Sequence, residues 1–148
     1  MAVGGTVSKP IFLKDGRYLS LTCDAAVTLG NVVRLTTTGT DTCNVGRAAS
    51  NEDANIGVAV SGDRFSRTAT DNEIAIGSKV TVCTRGVVYV YTDASTILIG
   101  SYLESGATGT VSLSTTSGTA RSASNIIGVA LDANSGAATT IRMLLMRF

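Results

Sequence analysis

Alternation between apolar and polar residues runs through most of this chain. "RYLSLTC" (Arg17–Cys23) sets Tyr18, Ser20 and Thr22 against Leu19, Leu21 and Cys23, the period of two that sends successive side chains to opposite faces of a strand. "NVVRLT" follows a turn at Leu29-Gly30-Asn31, "DTCNVGRA" puts Cys43 and Val45 on one side, and "NIGVAV" follows the polar loop "SNEDA". "KVTVCT" and "GVVYVYT" read as adjacent strands, with Tyr89 and Tyr91 on one face and Val88 and Val90 on the other. The short, glycine-containing "TRG" between them predicts a tight hairpin. "SYLE", "TVSLST", "NIIGVALD" and "TTIRMLLMRF" continue the series. Only "SNEDA" and "DASTILIG" offer a helical turn, the latter with Asp93 as cap, and β-branched Thr96 and Ile97 weaken it. Short strands with turn residues between them predict an all-β barrel or sandwich.

The pattern is written twice. Leu29–Val60 lies against Ile99–Leu131: a glycine turn, a strand, a Thr/Gly/Ser loop, a strand, a polar loop, then "NIGVAV" or "NIIGVAL". Gly30 matches Gly100 and Gly57 matches Gly128. A glycine inside a strand weakens it and marks a bulge or a close backbone approach. Gly57 and Gly128 are therefore expected to be critical to the fold, as points where one strand crosses another at a barrel corner. The expected architecture is a small β-barrel or tulip-like domain spanning 14–148, with pseudo-repeats at about 29–60 and 99–131. An extended N-terminal arm over 1–13 precedes it.

That arm holds Gly4-Gly5 and the single proline, Pro10. Gly-Gly resists regular structure and proline biases the preceding Lys9 to extended geometry. Val3, Val7, Ile11 and Phe12 make the arm greasier than an ordinary tail and mark it as a candidate contact segment. At the other end Met143, Leu144, Leu145, Met146 and Phe148 occupy both faces of any strand. A strand apolar on both sides is central in a core or packed against another subunit, so Met146 and Phe148 join the candidate contacts.

Composition narrows the function. Charged residues are 16% of the chain, against about 25% for a typical soluble domain, and the net charge is +1. No basic stripe of the kind that grips nucleic acid is present. Mean hydropathy is +0.29, yet no apolar run reaches the roughly 18 residues of a membrane span, and the N-terminus lacks a signal-peptide pattern. The expectation is a soluble protein folded in the cytoplasm, with no nucleic-acid or membrane partner. The three cysteines, Cys23, Cys43 and Cys83, are widely spaced and histidine is absent, which removes the usual zinc sets and leaves buried free thiols.

Catalysis has little to work with. Without histidine there is no Ser-His-Asp or Cys-His pair, and no phosphate-binding glycine loop occurs. Asp53, Asp63, Asp71, Glu73 and Asp132 are expected in loops as turn formers. "SNEDAN" and "TDNE" approach calcium-loop spacing without its ligand count, which leaves a loop calcium ion open. No enzyme activity, cofactor or metal is expected.

A glycine-led strand, the recurring "IGVA(V/L)", the central "GVVYVY" and the closing "IGVALDANSGAATTIRMLL" together resemble the head-decoration, or capsid cement, proteins of tailed bacteriophages. The resemblance covers roughly Gly30 to Leu145. It departs in the long Thr/Ser-rich stretch Gly106–Ser124 and in the turns "GNVV", "GSKV" and "GSYL". It implies a non-enzymatic virion protein, a homotrimer added to the capsid exterior at threefold or quasi-threefold sites, with the major capsid protein as partner and assembly in the host cytoplasm. Two other classes stay open: a virion or cell-surface domain binding a carbohydrate or host receptor, and a tail or connector subunit. The first would want aromatics in loops, whereas Tyr18, Tyr89, Tyr91 and Tyr102 fall in predicted strands.

Overall fold

A computed structural model of the chain describes residues 16–36, 44–49, 55–65, 72–114 and 126–146. Its elements are strands: β1 (Arg17–Cys23), β2 (Val27–Thr28), β3 (Val32–Thr36), β4 (Asn44–Arg47), β5 (Asn55–Gly62), β6 (Glu73–Ile74), β7 (Lys79–Tyr91), β8 (Thr96–Ile97), β9 (Tyr102–Ser105), β10 (Val111–Leu113), β11 (Ile126–Ala130), β12 (Asn134–Ser135) and β13 (Thr140–Met146). The only helical geometry among the described residues is a 3-10 turn at Ala107–Gly109. The protein is an all-β barrel domain, as its alternation and its β-branched composition require. Glu73 belongs to β6 rather than to a loop, and Asp93 caps a bend, accepting from the Ser95 amide at 2.8 Å, rather than a helix.

Nine strands form one sheet in the order β1-β4-β3-β5-β7-β13-β11-β9-β10, and β1 also pairs with β7. The strands β1, β4, β3, β5 and β7 therefore close into a ring. Its seam is the short parallel pair Thr22↔Asn44 and Cys23↔Val45. Closure removes the unpaired edges that an open sheet would present. The second group, β13, β11, β9 and β10, extends from the same β7 and returns to its end through a parallel bridge, Thr92↔Val111.

The expected hairpin at "TRG" does not form. Lys79–Tyr91 is one thirteen-residue strand. β1 pairs with its first half, from Arg17↔Arg85 to Thr22↔Lys79, and β13 with its second, from Met146↔Arg85 to Thr140↔Tyr91. With partners along both halves, the backbone gains more by running straight than by folding back on itself. The irregularity lies just before Gly86 instead: the β1 register skips Thr84, between Arg17↔Arg85 and Tyr18↔Cys83, and Gly86, still paired with Leu145, has a φ of +127° that suits a residue without Cβ.

The two halves lay down matching hydrogen bonds. The Gly30 amide donates to the Ala59 carbonyl and the Gly100 amide to the Ala130 carbonyl, each at 2.8 Å. The Ala59 amide donates to Asn31 O and the Ala130 amide to Ser101 O, each at 2.9 Å. The Asp24 amide reaches Val45 O at 3.1 Å, and the Asp93 amide reaches Val111 O at 3.0 Å. Even the side chain closing each turn corresponds: Asn31 Oδ1 accepts from the Thr28 amide at 3.0 Å, and Ser101 Oγ from the Leu98 amide at 3.3 Å.

Two apolar cores result. One fills the closed ring, with Cys23, Val33, Val45, Ala59, Val80 and Val82 fully buried. The other lies under the second group, where Val88, Val90, Leu103, Ile127, Ile141 and Met143 pack against Val32, Val58 and Cys83. Those last three belong to ring strands, so the outside of the ring serves as one wall of the second core. Buried polar groups are tied in: Asn134 Nδ2 donates to Thr92 Oγ1 at 3.2 Å and to Ser95 O at 3.0 Å, and Asn72 Nδ2 to the Tyr91 hydroxyl at 2.9 Å.

The paired turns make a direct comparison of burial. Asn31 is 5% exposed, so Asn31→Ala strands a turn amide away from water and is expected to cost about 1–3 kcal/mol. Ser101 is half-exposed, and Ser101→Ala is expected to cost under about 0.5 kcal/mol. Urea unfolding of both variants checks the order; equal costs contradict it.

Candidate docking surface

The residues that the sequence singles out separate into three groups. Val3, Val7, Ile11, Phe12 and Phe148 lie outside the described residues, as do Cys43 and most of the two calcium-like loops. Met146 ends β13, half-buried and opposite Arg85. Gly57 and Gly128 sit inside β5 and β11.

The two glycines share one geometry. A Cβ on Gly57 would collide with the Cys83 carbonyl oxygen and come 2.9 Å from Val82 Cγ1. A Cβ on Gly128 would come 2.5 Å from the Leu144 carbonyl oxygen and 2.7 Å from Met143 Cγ. In both cases the obstacle is the backbone of the next strand, which cannot swing aside as a side chain can. A register shift adjoins each: between Val33 and Arg34 opposite Gly57 and Asn55, and between Ile126 and Gly128 opposite Leu103. An extra residue on the bulged strand bends it and raises its twist, and the missing Cβ lets the bent strand lie against its neighbour.

Candidate chemistry is sparse. Cys23 and Cys83 are free and fully buried; their thiols donate to the carbonyls of Ala75 at 3.1 Å and Arg85 at 3.2 Å. Burial pushes the Cys83 thiol above its ordinary pKa, away from the thiolate that nucleophilic chemistry needs. No group of three or more His, Cys, Asp or Glu side chains comes together among the described residues. Asp132 takes a two-oxygen grip on Arg142, with Nη2–Oδ1 at 2.7 Å and Nε–Oδ2 at 3.1 Å. The hydrogen bonds from Arg142 hold the Asp132 carboxyl below its usual range. Glu104 is only 6% exposed, and burial lifts its carboxyl above the usual range.

The surface is more informative than any cavity chemistry. Leu98 is 68% exposed and Ile99 71%, at the tip of the turn between β8 and β9. Tyr102 on β9 and Leu144 on β13, the two strands that flank β11, follow at 38% each. The contacts expected from the sequence lie at the two termini, and this turn is not among them. The signal was present in "TILIG", where two large aliphatic residues precede a turn glycine, a place ordinarily held by polar residues. Exposed aliphatic side chains on a rigid scaffold mark surfaces that meet other macromolecules.

An all-β scaffold with buried thiols, a neutral surface and exposed aliphatic patches defines a structural, contact-making class of protein. The comparisons place it further. The sequence model of one family, described as phage cement protein, matches residues 13–145. The chain belongs to the phage cement protein family, and is a phage structural protein associated with the capsid. Among solved structures, the N base of the head fiber protein gp8.5 of bacteriophage phi29 superposes with a TM-score of 0.56 at 14% identity, covering 88% of this chain and 94% of that one. At that identity the likeness is one of fold. A search of curated proteins finds no match.

Two expectations follow from the site. Gly57→Val and Gly128→Val each force a branched side chain into a carbonyl and are expected to cost about 3 kcal/mol or more, seen as insoluble expression or lost cooperative melting; soluble variants with unchanged melting curves contradict the crossing argument. Glu104 has its folded pKa raised, so its charge destabilises the fold at neutral pH, and that penalty is relieved as pH falls through the folded value. Glu104→Gln is expected to melt higher than wild type at pH 7, with the difference between the two shrinking as the solution is acidified.

Proposed function

We propose that this protein binds the outside of a phage capsid at threefold or quasi-threefold positions, as a homotrimer, and stabilises the shell against expansion. The major capsid protein is the partner. The observation that carries the reading is the family match across residues 13–145; a scaffold whose exposed large apolar side chains are mostly aliphatic, with Tyr89 and Tyr102 beside them, supports it. A clip that spans neighbouring capsomers raises the free energy needed to separate them. Three weak contacts suffice, because tethering through a trimer raises avidity by about 10²–10⁴ for each added contact. Contacts made by apolar and backbone groups hold in salt that would screen ion pairs, which suits a chain with net charge +1.

In this reading the arm of residues 1–13 makes the shell contact through Val3, Val7, Ile11 and Phe12, with Met146 and Phe148 adding contacts to the shell or to another subunit. The domain itself, two copies of one strand unit, supplies the rigid body that presents them. Assembly takes place in the host cytoplasm.

Deletion of residues 1–10 is expected to leave melting unchanged and to abolish binding to heads that lack the protein. Electron microscopy of heads mixed with the full chain is expected to show added density at threefold sites. Retained binding by the deleted chain removes the arm from the mechanism. Density elsewhere on the head removes the threefold placement, and no density removes binding to the capsid exterior; a larger ring by solution mass points instead to a tail or connector subunit.

A further inference from the structure

The outer face of the second group of strands is open. Across β9, β11, β13 and β7, Tyr102, Val129, Leu144 and Val87 stand opposite one another in register. Tyr102 and Leu144 are 38% exposed, and Val129 and Val87 are half-buried. The matching row of the first half, Val32, Val58 and Cys83, is fully buried under the second half.

One end of the open face carries charge. Two residues along from Val87 and Leu144 come Arg85 and Met146, opposite each other, and Arg17 of β1 is opposite Arg85 as well. Arg17 and Arg85 are both exposed. Like charges set directly opposite on paired strands repel and weaken the pairing. Among the described residues no carboxylate pairs with either guanidinium. The acids that share this face are engaged elsewhere: Asp132 grips Arg142, and Glu104, two residues from Tyr102, is only 6% exposed. A face of Arg, Tyr, Met and Leu with no lysine and no free carboxylate has the composition of a protein interface.

The charged end is also where the N-terminal segment joins the domain. The Cα of Gly16 lies 3.1 Å from the point where a Cβ on Gly86 would stand, and Gly86 follows Arg85 directly. A surface that takes hold of residues 1–13 therefore lies next to Arg17, Arg85 and Met146.

We infer that this face seats on an acidic, apolar patch of the phage shell protein. Carboxylates of the shell meet Arg17 and Arg85, and its apolar side chains cover Val87, Leu144 and Tyr102. The inference rests on the capsid reading and adds the chemistry of the partner's surface. A carboxylate accepts the planar fork of a guanidinium in a charge-assisted pair, and one set against both arginines ends their mutual repulsion. A basic or purely apolar surface would leave that repulsion in place. A nucleic acid is a poorer fit, since its grip takes a stripe of phosphate contacts and has no use for the apolar row.

Binding of the full chain to heads that lack it, measured from about 0.1 M to about 1 M sodium chloride, tests the inference; the screening length falls over that range from about 10 Å to about 3 Å. Wild-type binding is expected to weaken with salt. Arg17→Gln combined with Arg85→Gln is expected to bind roughly tenfold or more weakly at the lower salt, to lose most of the salt dependence, and to melt at or above wild type because the repulsion is gone. Leu144→Thr is expected to weaken binding equally at both ends of the range. Arg47→Gln, at an exposed position of β4 in the ring, is expected to bind as wild type does. Should the double variant fail to fold, Arg85→Lys is read in its place, with weaker binding and the salt dependence kept. Wild-type binding that ignores salt, or arginine variants that bind as wild type does, overturn the inference and leave the capsid reading standing. Face variants that lose the wild-type solution mass overturn it too, by assigning the face to contacts between copies. A wild type that does not bind heads at all takes the capsid reading down and this inference with it.

Discussion

One strand has to serve two sheets. The thirteen residues of β7 pair first with β1 and β5, then with β13, and the closed ring and the second group of strands hang from opposite ends of the same backbone. The change of partners falls at Arg85, which is opposite both Arg17 and Met146. Gly86 takes up the mismatch in twist with a conformation that other residues reach only under strain. Because β7 is common to both, the halves cannot separate or slip in register independently: a one-residue slip would turn Val80, Val82, Val88 and Val90 out of their cores together.

The close approaches at Gly57 and Gly128 follow from that arrangement. A ring of five strands encloses little volume, so strands must bend sharply and lie near their neighbours. The bulges beside the two glycines supply the bend, and the missing Cβ supplies the clearance. The same economy fits an interior dominated by Val, Ala and Cys, with Leu29 and Ile74 as its largest fully buried side chains and Phe65 only partly buried against it. The second group of strands does not enclose itself fully and uses the outer face of the ring as its floor, which is why Val32, Val58 and Cys83 are buried on the outside of a barrel.

A scaffold of this kind is stiff, nearly neutral and hard to unfold from one end, since its first and last described strands, β1 and β13, both pair with β7. Those are the properties useful in a family of phage cement proteins: a small rigid body conveys load between its contacts, and exposed aliphatic side chains form contacts that need no charge. Function in such a molecule lies in where side chains stick out rather than in a cleft. Glu104, Asp132 and Arg142 are accounted for as structural or surface groups, and the exposed turn at Leu98 and Ile99 is the feature that internal packing leaves without a role.

Strand content, the placement of most strands, the doubled pattern and the two pinched glycines were all legible in the sequence, because period-two alternation, β-branched composition and a glycine within a strand are local signals with local causes. The family resemblance rested on the same segments. The hairpin expected at "TRG" was misplaced, since nothing local distinguishes a glycine that turns the chain from one that bulges a continuing strand; the partners on either side decide it, and they come from residues far away in sequence. The open face was equally out of reach. Val32 and Tyr102, or Cys83 and Leu144, occupy matching positions in matching strands, and only the packing of one half on the other buries the first of each pair and exposes the second. Pattern along a chain fixes which residues share a face, but which face meets water depends on what the rest of the chain places over it.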